Sequence, residues 1–553
     1  MSISLRSAEI DAIETDLLVL GGGLSGFRAA VAAREAGCTV AHAYLARGAS
    51  PYIIGANVPL GHADPADDPA CYARDMIAGG YGLSDRRLVH ALAHNAVASF
   101  EDMVRLGVPF ARGERGFLQR HLSGNTWPRS VYVPEGIGKV ALEHLAARAS
   151  TIGVQALAAR RVVALLGDGG EVVGALLADR RTQRFTAVHA RAVILAMGGI
   201  GRLYADSTYP SDVAADAYAL ALEAGARLID MEFVQFEPLV TVHPAGCRGM
   251  EMPTAMLGDG APLLDVTGER FMFRYNPEHG ERQIEKARLS LCIQQEIDAG
   301  RGFADGSVLL DTTTLPRDTL ESYVAHCKRL RGAGLEPSAE GPRVRPAAHS
   351  EMGGVFIDAT GATEVPGLFA CGEASGGIHG ASRLAGNGGG ETMAMGWLVG
   401  RAAARALAQG PQPAARDWRN IHAAALARLA GGDGGSGTAA EIKEAIRASM
   451  SAAAGLYRTG PGLETGLGAL EELTGHAAGL PANDMESALE ARSARNMALV
   501  AGLILRAALA RTESRGAHQR RDHPRQDDER WVHHLSFRLT PEGMVTMDTL
   551  PIH

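Results

Sequence analysis

Residues 16–45 run DLLVL, GGGLSG, FRAAVAAREAG, CTVAHAYL. A short apolar run, a glycine cluster and a helical pattern in that order leave few folds open. The apolar run reads as a strand buried on both faces. Gly21, Gly23 and Gly26 follow in G-x-G-x-x-G spacing, a helix is predicted to end at Gly37, and a second strand resumes at Cys38. This is a βαβ unit. Its glycines allow a tight turn, close approach of backbone to a pyrophosphate and close helix–strand packing, with the helix N-terminus facing the phosphates. The unit predicts a Rossmann-like α/β domain that takes a dinucleotide. Such units usually end the second strand with an acid for the ribose 2′-hydroxyl. Here that place falls near Tyr44 with no acid, so the ribose is expected to be held by other groups or through water.

At 553 residues the chain is too long for one ordinary core. A net charge of −8 gives no reason to expect nucleic acid or an anionic membrane as partner. Six cysteines occur with no CxxC pair, which predicts reduced, buried thiols rather than a disulfide, iron–sulfur or zinc framework. The N-terminal residues lack a secretory pattern, and no apolar run reaches the ~18 residues that span a bilayer. A cytoplasmic protein is expected, with no metal site.

Farther along, residues 84–110 are predicted helical, and residues 151–195 form short alternating runs that predict a small sheet returning to the first domain at AVILAMGG. A helix is predicted over 214–226. Loops rich in Pro, Gly and Met follow residue 235, with one helix at about 280–299. VPGLFACGEA at 365–374 returns to a buried strand, and ETMAMGWLVGRAAARALA reads as a helix. GGDGGSG at 431–437 reads as a linker or loop, and 438–512 as mostly helical. The charged stretch RTESRGAHQRRDHPRQDDERW is compatible with a solvated surface strip.

VLGGGLSGFRAA, AVILAMGGIG, MEFVQFEP, GERFM, HSEMGG, GLFACGEASGGIHGASRLAGN and ESRGAHQRRDHPRQDD occur in the order found in one family. Over nearly its full length the chain resembles the flavoprotein subunits of succinate dehydrogenase and fumarate reductase, a family that includes L-aspartate oxidase. The resemblance implies a split FAD-binding domain (1–234 and 349–410), an inserted α+β capping domain (235–348) and a C-terminal helical domain with its tail (411–553). It places Gly21, Gly23, Gly26, Gly198 and Gly199 on the FAD phosphates and adenosine, Ser50 near the flavin ring, and Asp216 as an FAD-contacting acid. It puts Glu373 on ribityl or ribose hydroxyls, although a helix N-terminal carboxylate is an alternative reading. The expected contacts extend to Leu24, Ser25, Tyr44, Gly55, Ala196, Gly372, Arg383 and Asn387. Where family members with covalent flavin carry a histidine, this chain has SPYIIGAN, so FAD is expected to be non-covalent.

The family's dicarboxylate site is only partly retained. Arg383 and His349 are present, and the planar fork of arginine suits a carboxylate. A structural ion pair is the alternative for Arg383, and a core histidine for His349. The histidine of the family's QFHP is Glu237, the Thr-Glu pair falls at Pro253 and Thr254, and the RGEGG turn becomes LGDGA with Asp259. Aligned without gaps from 300–302, the proton-shuttle arginine falls at Leu291. Lys286 and Arg288, earlier on the same helix, are either replacements or surface charges. The candidate bases are His349, Glu237, Asp259 and, more weakly, His243. These changes imply an FAD-dependent dehydrogenase or reductase for a small carboxylate-bearing substrate other than succinate or fumarate, passing electrons to an iron–sulfur or ferredoxin-like partner. An L-aspartate-oxidase-like oxidase and an electron-transfer subunit with a decayed substrate site remain alternatives.

Overall fold

The βαβ unit forms, but its first strand is longer than its apolar run. β1 spans Ile10–Leu20, α1 Leu24–Glu35 and β2 Val40–Tyr44. The structure is a computed structural model that describes residues 10–282, 284–410, 415–432, 437–540 and 542–553. After the helix α2 (Arg86–Arg105) come β3 (Gln155–Ala158), β4 (Arg161–Asp168), β5 (Glu171–Asp179) and β6 (Arg184–Leu195). The alternating runs of 151–195 do not build a separate sheet. Twelve-residue β6 pairs in parallel with the whole of β1, from Ile10↔Phe185 to Leu20↔Leu195, and antiparallel with β5 on its other edge. One sheet therefore runs β3-β2-β1-β6-β5-β4. The extra half of β1 is the reason: its partly exposed residues 10–15 pair along the first half of β6.

α3 (Asp216–Glu223) and the short β7 (Leu228–Ile229) lead to β8 (Val234–His243). β9 (Leu263–Leu264), α4 (Lys286–Asp298), β10 (Val308–Leu310) and β11 (Arg343–Glu351) follow. The sheet β8-β11-β10-β9 is antiparallel throughout. It packs on its own apolar cluster, including Leu239, Met252, Phe271, Ile293 and Val344, distinct from the main core. The chain then passes through β12 (Gly354–Val355) to β13 (Leu368–Ala370), which pairs in parallel with the end of β6, and to the long helix α5 (Asn387–Gln409).

The C-terminal part holds α6 (Ala439–Ala453), α7 (Gly460–Gly479) and α8 (Met485–Ala510). α8 meets the length and composition criteria for a membrane span, contrary to the expectation that no segment would, but 67% of its most apolar window is buried inside the protein. It is a core helix. The linker predicted at 431–437 lies mostly outside the described residues. The charged stretch divides: residues 521–530 are largely exposed, as a solvated strip would be, but residues 511–520 are not. Arg511, Glu513, Arg515, His518 and Arg520 are all buried. Arg511 Nε meets Glu232 Oε1 at 2.5 Å, and Glu513 bridges Arg511 at 3.0 Å and Arg515 at 2.7 Å. Charges removed from water must be paired in this way. The chain closes with a hairpin, β14 (His534–Leu539) and β15 (Val545–Leu550), in the sheet β12-β7-β14-β15.

Candidate active site

The carboxyl ends of β1, β6 and β13 converge where an open α/β sheet binds its ligand. Gly21 closes β1 at φ +121°, and a Cβ there would stand 2.0 Å from the Ala196 carbonyl oxygen at the end of β6. Only glycine lets these two strand ends touch. α1 starts behind Gly23 with no side-chain cap and no acid in its first turn, which includes Leu24, Ser25 and Gly26. Leu24 N donates to Ser50 Oγ at 2.8 Å, which fixes Ser50 on the helix N-terminus. α5 also starts without a side-chain cap, behind Gly386. The carbonyl of Gly55 lies on its first turn, 2.3 Å from a Cβ built at Gly389.

The loop after β6 carries Gly198 and Gly199, and Glu373 Oε1 lies 2.6 Å from a Cβ built at Gly199. Glu373, in the short turn after Gly372, accepts from Glu351 N at 2.8 Å and from Tyr209 Oη. Burial pushes its carboxyl up to about 8. Tyr44 packs on Phe27 and His42, with Arg47 over its ring. Asn387 is fully buried and accepts from Asn57 Nδ2 at 2.6 Å and Tyr72 Oη at 2.9 Å, while its own Nδ2 has no partner among the described residues. Asp216 accepts from Asn496 Nδ2 of α8 at 2.6 Å. Two helix N-termini that start behind glycines, one of them met only by the Ser50 hydroxyl, and glycine-lined loops at the strand ends suit an anionic dinucleotide, so the residues present fit the group expected here.

Beside this crevice the capping segment contributes a second cluster. β8 presents Glu237, only 1% exposed, to Lys286 at the first turn of α4; Nζ donates to its two carboxylate oxygens at 2.8 and 3.0 Å. Glu251 lies 3.6 Å from the same ammonium. His349 of β11 faces Glu237 at 3.9 Å through Nε2, and its Nδ1 lies 3.0 Å from Thr208 Oγ1. One ligand atom each from Glu237, Glu251 and His349 fall within 4.8 Å of one another. The Lys286 ammonium already stands between the two carboxylates and supplies the positive charge a metal would bring.

Electrostatics separate the two acids. Burial raises Glu237 to about 7, helped by the charge of Glu251 and opposed by Lys286. Burial also works on Glu251, but the charges of Lys286 and Arg383 overcome it and hold that carboxyl below its usual range. Burial, with Arg383 and Lys286 nearby, drives His349 down to about 3 against the pull of Glu251, so its ring stays neutral. Burial opposes the charge on Lys286, but Glu237 and Glu251 outweigh it and raise its pKa.

Arg383 sits in the loop before α5, its backbone carbonyl held by Gln235 Nε2 at 3.1 Å. Its Nη1 lies 3.0 Å from a Cβ built at Gly388, over the first turn of α5. Among the described residues its guanidinium makes no hydrogen bond or ion pair, and Nε is buried without a partner. The structural-ion-pair reading thus finds no partner here.

Two candidates stand apart. Asp259 is exposed on the short helix Ala255–Asp259 and accepts from Tyr323 Oη at 2.5 Å rather than from the cluster. Arg288 is exposed and reaches only the Tyr275 carbonyl, at 3.4 Å. Leu291 packs against the main apolar core. It lies five residues from Lys286, about 140° round the helix, so a side chain at 291 points away from the cluster that Lys286 enters. Of the two replacements considered for a cation at Leu291, Lys286 enters the cluster and is not a free surface charge, whereas Arg288 stays outside it. Sequence reasoning missed Glu251, whose only signal was an acid in the Met-rich loop after β8, and Thr208.

The family model described as FAD binding domain matches residues 16–388, and that for the fumarate reductase flavoprotein C-terminal region matches 443–553. The fumarate reductase flavoprotein subunit of Mycobacterium tuberculosis is 32% identical, covering 97% of this chain and 97% of that protein. L-aspartate oxidase of Halobacterium salinarum is 34% identical, covering 93% and 97%. E. coli quinol fumarate reductase FrdA superposes with a TM-score of 0.91 at 26% identity, covering 98% of this chain and 97% of that one. With its split FAD-binding domain, inserted cap and helical C-terminal domain, the chain belongs to the FAD-dependent succinate dehydrogenase and fumarate reductase flavoprotein family of oxidoreductases.

Proposed function

We propose that this oxidoreductase transfers hydride between a carbon of a small carboxylate-bearing substrate and FAD, and that succinate and fumarate are not its substrates. The unpartnered guanidinium of Arg383 carries this reading, because a fork of donors beside the crevice suits one carboxylate. Gly21, Gly23, Gly26, Gly198 and Gly199 would line the phosphates and adenosine, and Glu373 the sugar hydroxyls. Bound FAD supplies a two-electron acceptor or donor at its N5 atom. Glu237 holds or releases the accompanying proton, with Lys286 relaying it. A pair of acids pushed apart in pKa divides into a proton carrier and a fixed charge, which are Glu237 and Glu251 here. His349, being neutral, offers one N–H to orient the substrate and is a weak base.

Lys286 is committed to two carboxylates, so the cluster offers a dicarboxylate only one free cationic anchor. The intact Glu237–Lys286 pair also weighs against a decayed site. The six cysteines are separate and buried, which fits a reducing, cytoplasmic setting and electron exit to a separate iron–sulfur or ferredoxin-like carrier. Similarity to L-aspartate oxidases keeps a second reading, with dioxygen as acceptor; peroxide formation distinguishes it. The test is anaerobic titration of the purified yellow protein with succinate, aspartate and larger amino- and aromatic-substituted acids. Bleaching of the flavin band by an acid other than succinate supports the reading. Rapid bleaching by succinate, or no bleaching by any acid together with no reoxidation of the reduced protein by unsaturated acids, overturns it.

A further inference from the structure

Two oppositely charged groups at the site have unmet hydrogen-bonding capacity. The Arg383 guanidinium makes no hydrogen bond or ion pair among the described residues. The Glu251 carboxylate accepts no hydrogen bond among them either, and its nearest cation, Lys286 Nζ, stands 3.6 Å away and already donates to Glu237 at 2.8 and 3.0 Å. Glu251 exposes 28% of its side chain, against 19% for Lys286 and 20% for His349. An ionised carboxylate next to a binding site favours a charged donor, and a free guanidinium favours a charged acceptor.

We propose that the substrate is a zwitterion, an amino acid with one carboxylate on Arg383 and an ammonium group on Glu251, and that a second carboxylate is rejected. The inference rests on the proposed role of Arg383 and adds the second anchor. The charge balance explains the rejection. Lys286 is neutralised by the acids around it, and His349 is neutral, so a second carboxylate meets Glu251 rather than a cation. A like charge placed there is repelled. An ammonium meets the same residue with attraction and fills the hydrogen bonds Glu251 lacks.

The test uses the FAD-loaded full chain and a matched four-carbon set: butyrate, succinate, 2-aminobutyrate and 4-aminobutyrate. Binding is read from perturbation of the oxidised flavin absorbance. At least one aminobutyrate is expected to bind about tenfold more tightly than butyrate, the scale of one charge-assisted hydrogen bond, and succinate more weakly than butyrate. Glu251→Gln is expected to lower aminobutyrate affinity about tenfold and to raise succinate affinity, opposite shifts that a folding defect does not produce. Succinate binding more tightly than both aminobutyrates in the parent protein, or a preference unchanged by Glu251→Gln, overturns the proposal while leaving the Arg383 reading standing. If none of the four acids perturbs the flavin, this inference falls, and the Arg383 reading is decided by the wider anaerobic titration.

Discussion

Replacing Glu237 by glutamine tests the proton-transfer role at one atom. The side chain is 1% exposed, receives two hydrogen bonds from Lys286, and titrates near 7 because burial and the charge of Glu251 outweigh that lysine. Glutamine keeps the volume and one acceptor but carries no proton to exchange. General acid–base help of this kind contributes ~10²–10⁴ in rate, about 3–5 kcal/mol of barrier. Stopped-flow flavin reduction by the substrate identified in the titration is therefore expected to slow by that factor in Glu237→Gln, with the substrate dissociation constant changed far less. In the oxidative direction Glu237 must be ionised to take the proton, so the parent rate rises with pH through about 7 and then levels. With Glu237→Gln this inflection disappears. With Glu251→Gln it persists and moves to lower pH, because removing the neighbouring negative charge makes Glu237 easier to ionise. A Glu237→Gln protein that keeps the parent rate, or keeps the inflection near 7, refutes the assignment.

Three other outcomes follow from the geometry. Arg511→Ala leaves the buried Glu232 without its cation while Glu513 keeps Arg515, so it should cost about 3–5 kcal/mol of stability, read by chemical denaturation. Acid precipitation should release the flavin into the supernatant, because the 50–57 segment carries no histidine to bond it; colour retained in the pellet contradicts this. Tyr81 Oη donates to Glu285 Oε2 at 2.8 Å, next to Lys286, across the cap boundary. Tyr81→Phe should remove about 0.5–1.5 kcal/mol, since this hydrogen bond is open to solvent, and speed proteolytic nicking within residues 235–348.

The glycine-lined crevice at the strand ends was legible because its signals are local. Gly21, Gly23 and Gly26 stand at the strand–helix junction, and their spacing is dictated by that one turn. The same holds for the glycines after β6 and β13. The substrate side depends on helix phase and on contacts distant in sequence, which a single sequence does not display. Positions 286 and 291 lie about 140° apart round α4, so only the fold tells which of them meets the Glu237 cluster. Glu251 reaches Lys286 across 35 residues of chain, and no spacing rule links them. The first half of the charged tail, residues 511–520, misled for a similar reason. Composition shows the charges of Arg511, Glu513 and Arg515 but not that Glu232, far upstream, waits to pair with them.

Arg383 is proposed above as the carboxylate anchor of a flavin redox site. The most direct measurement is anaerobic flavin bleaching of Arg383→Ala by the acid that bleaches the parent protein, with and without added guanidinium ion. The account predicts a loss of affinity of about 10²-fold or more, the scale of an unpaired buried charge contact, partly restored by guanidinium. Affinity unchanged by Arg383→Ala would contradict it.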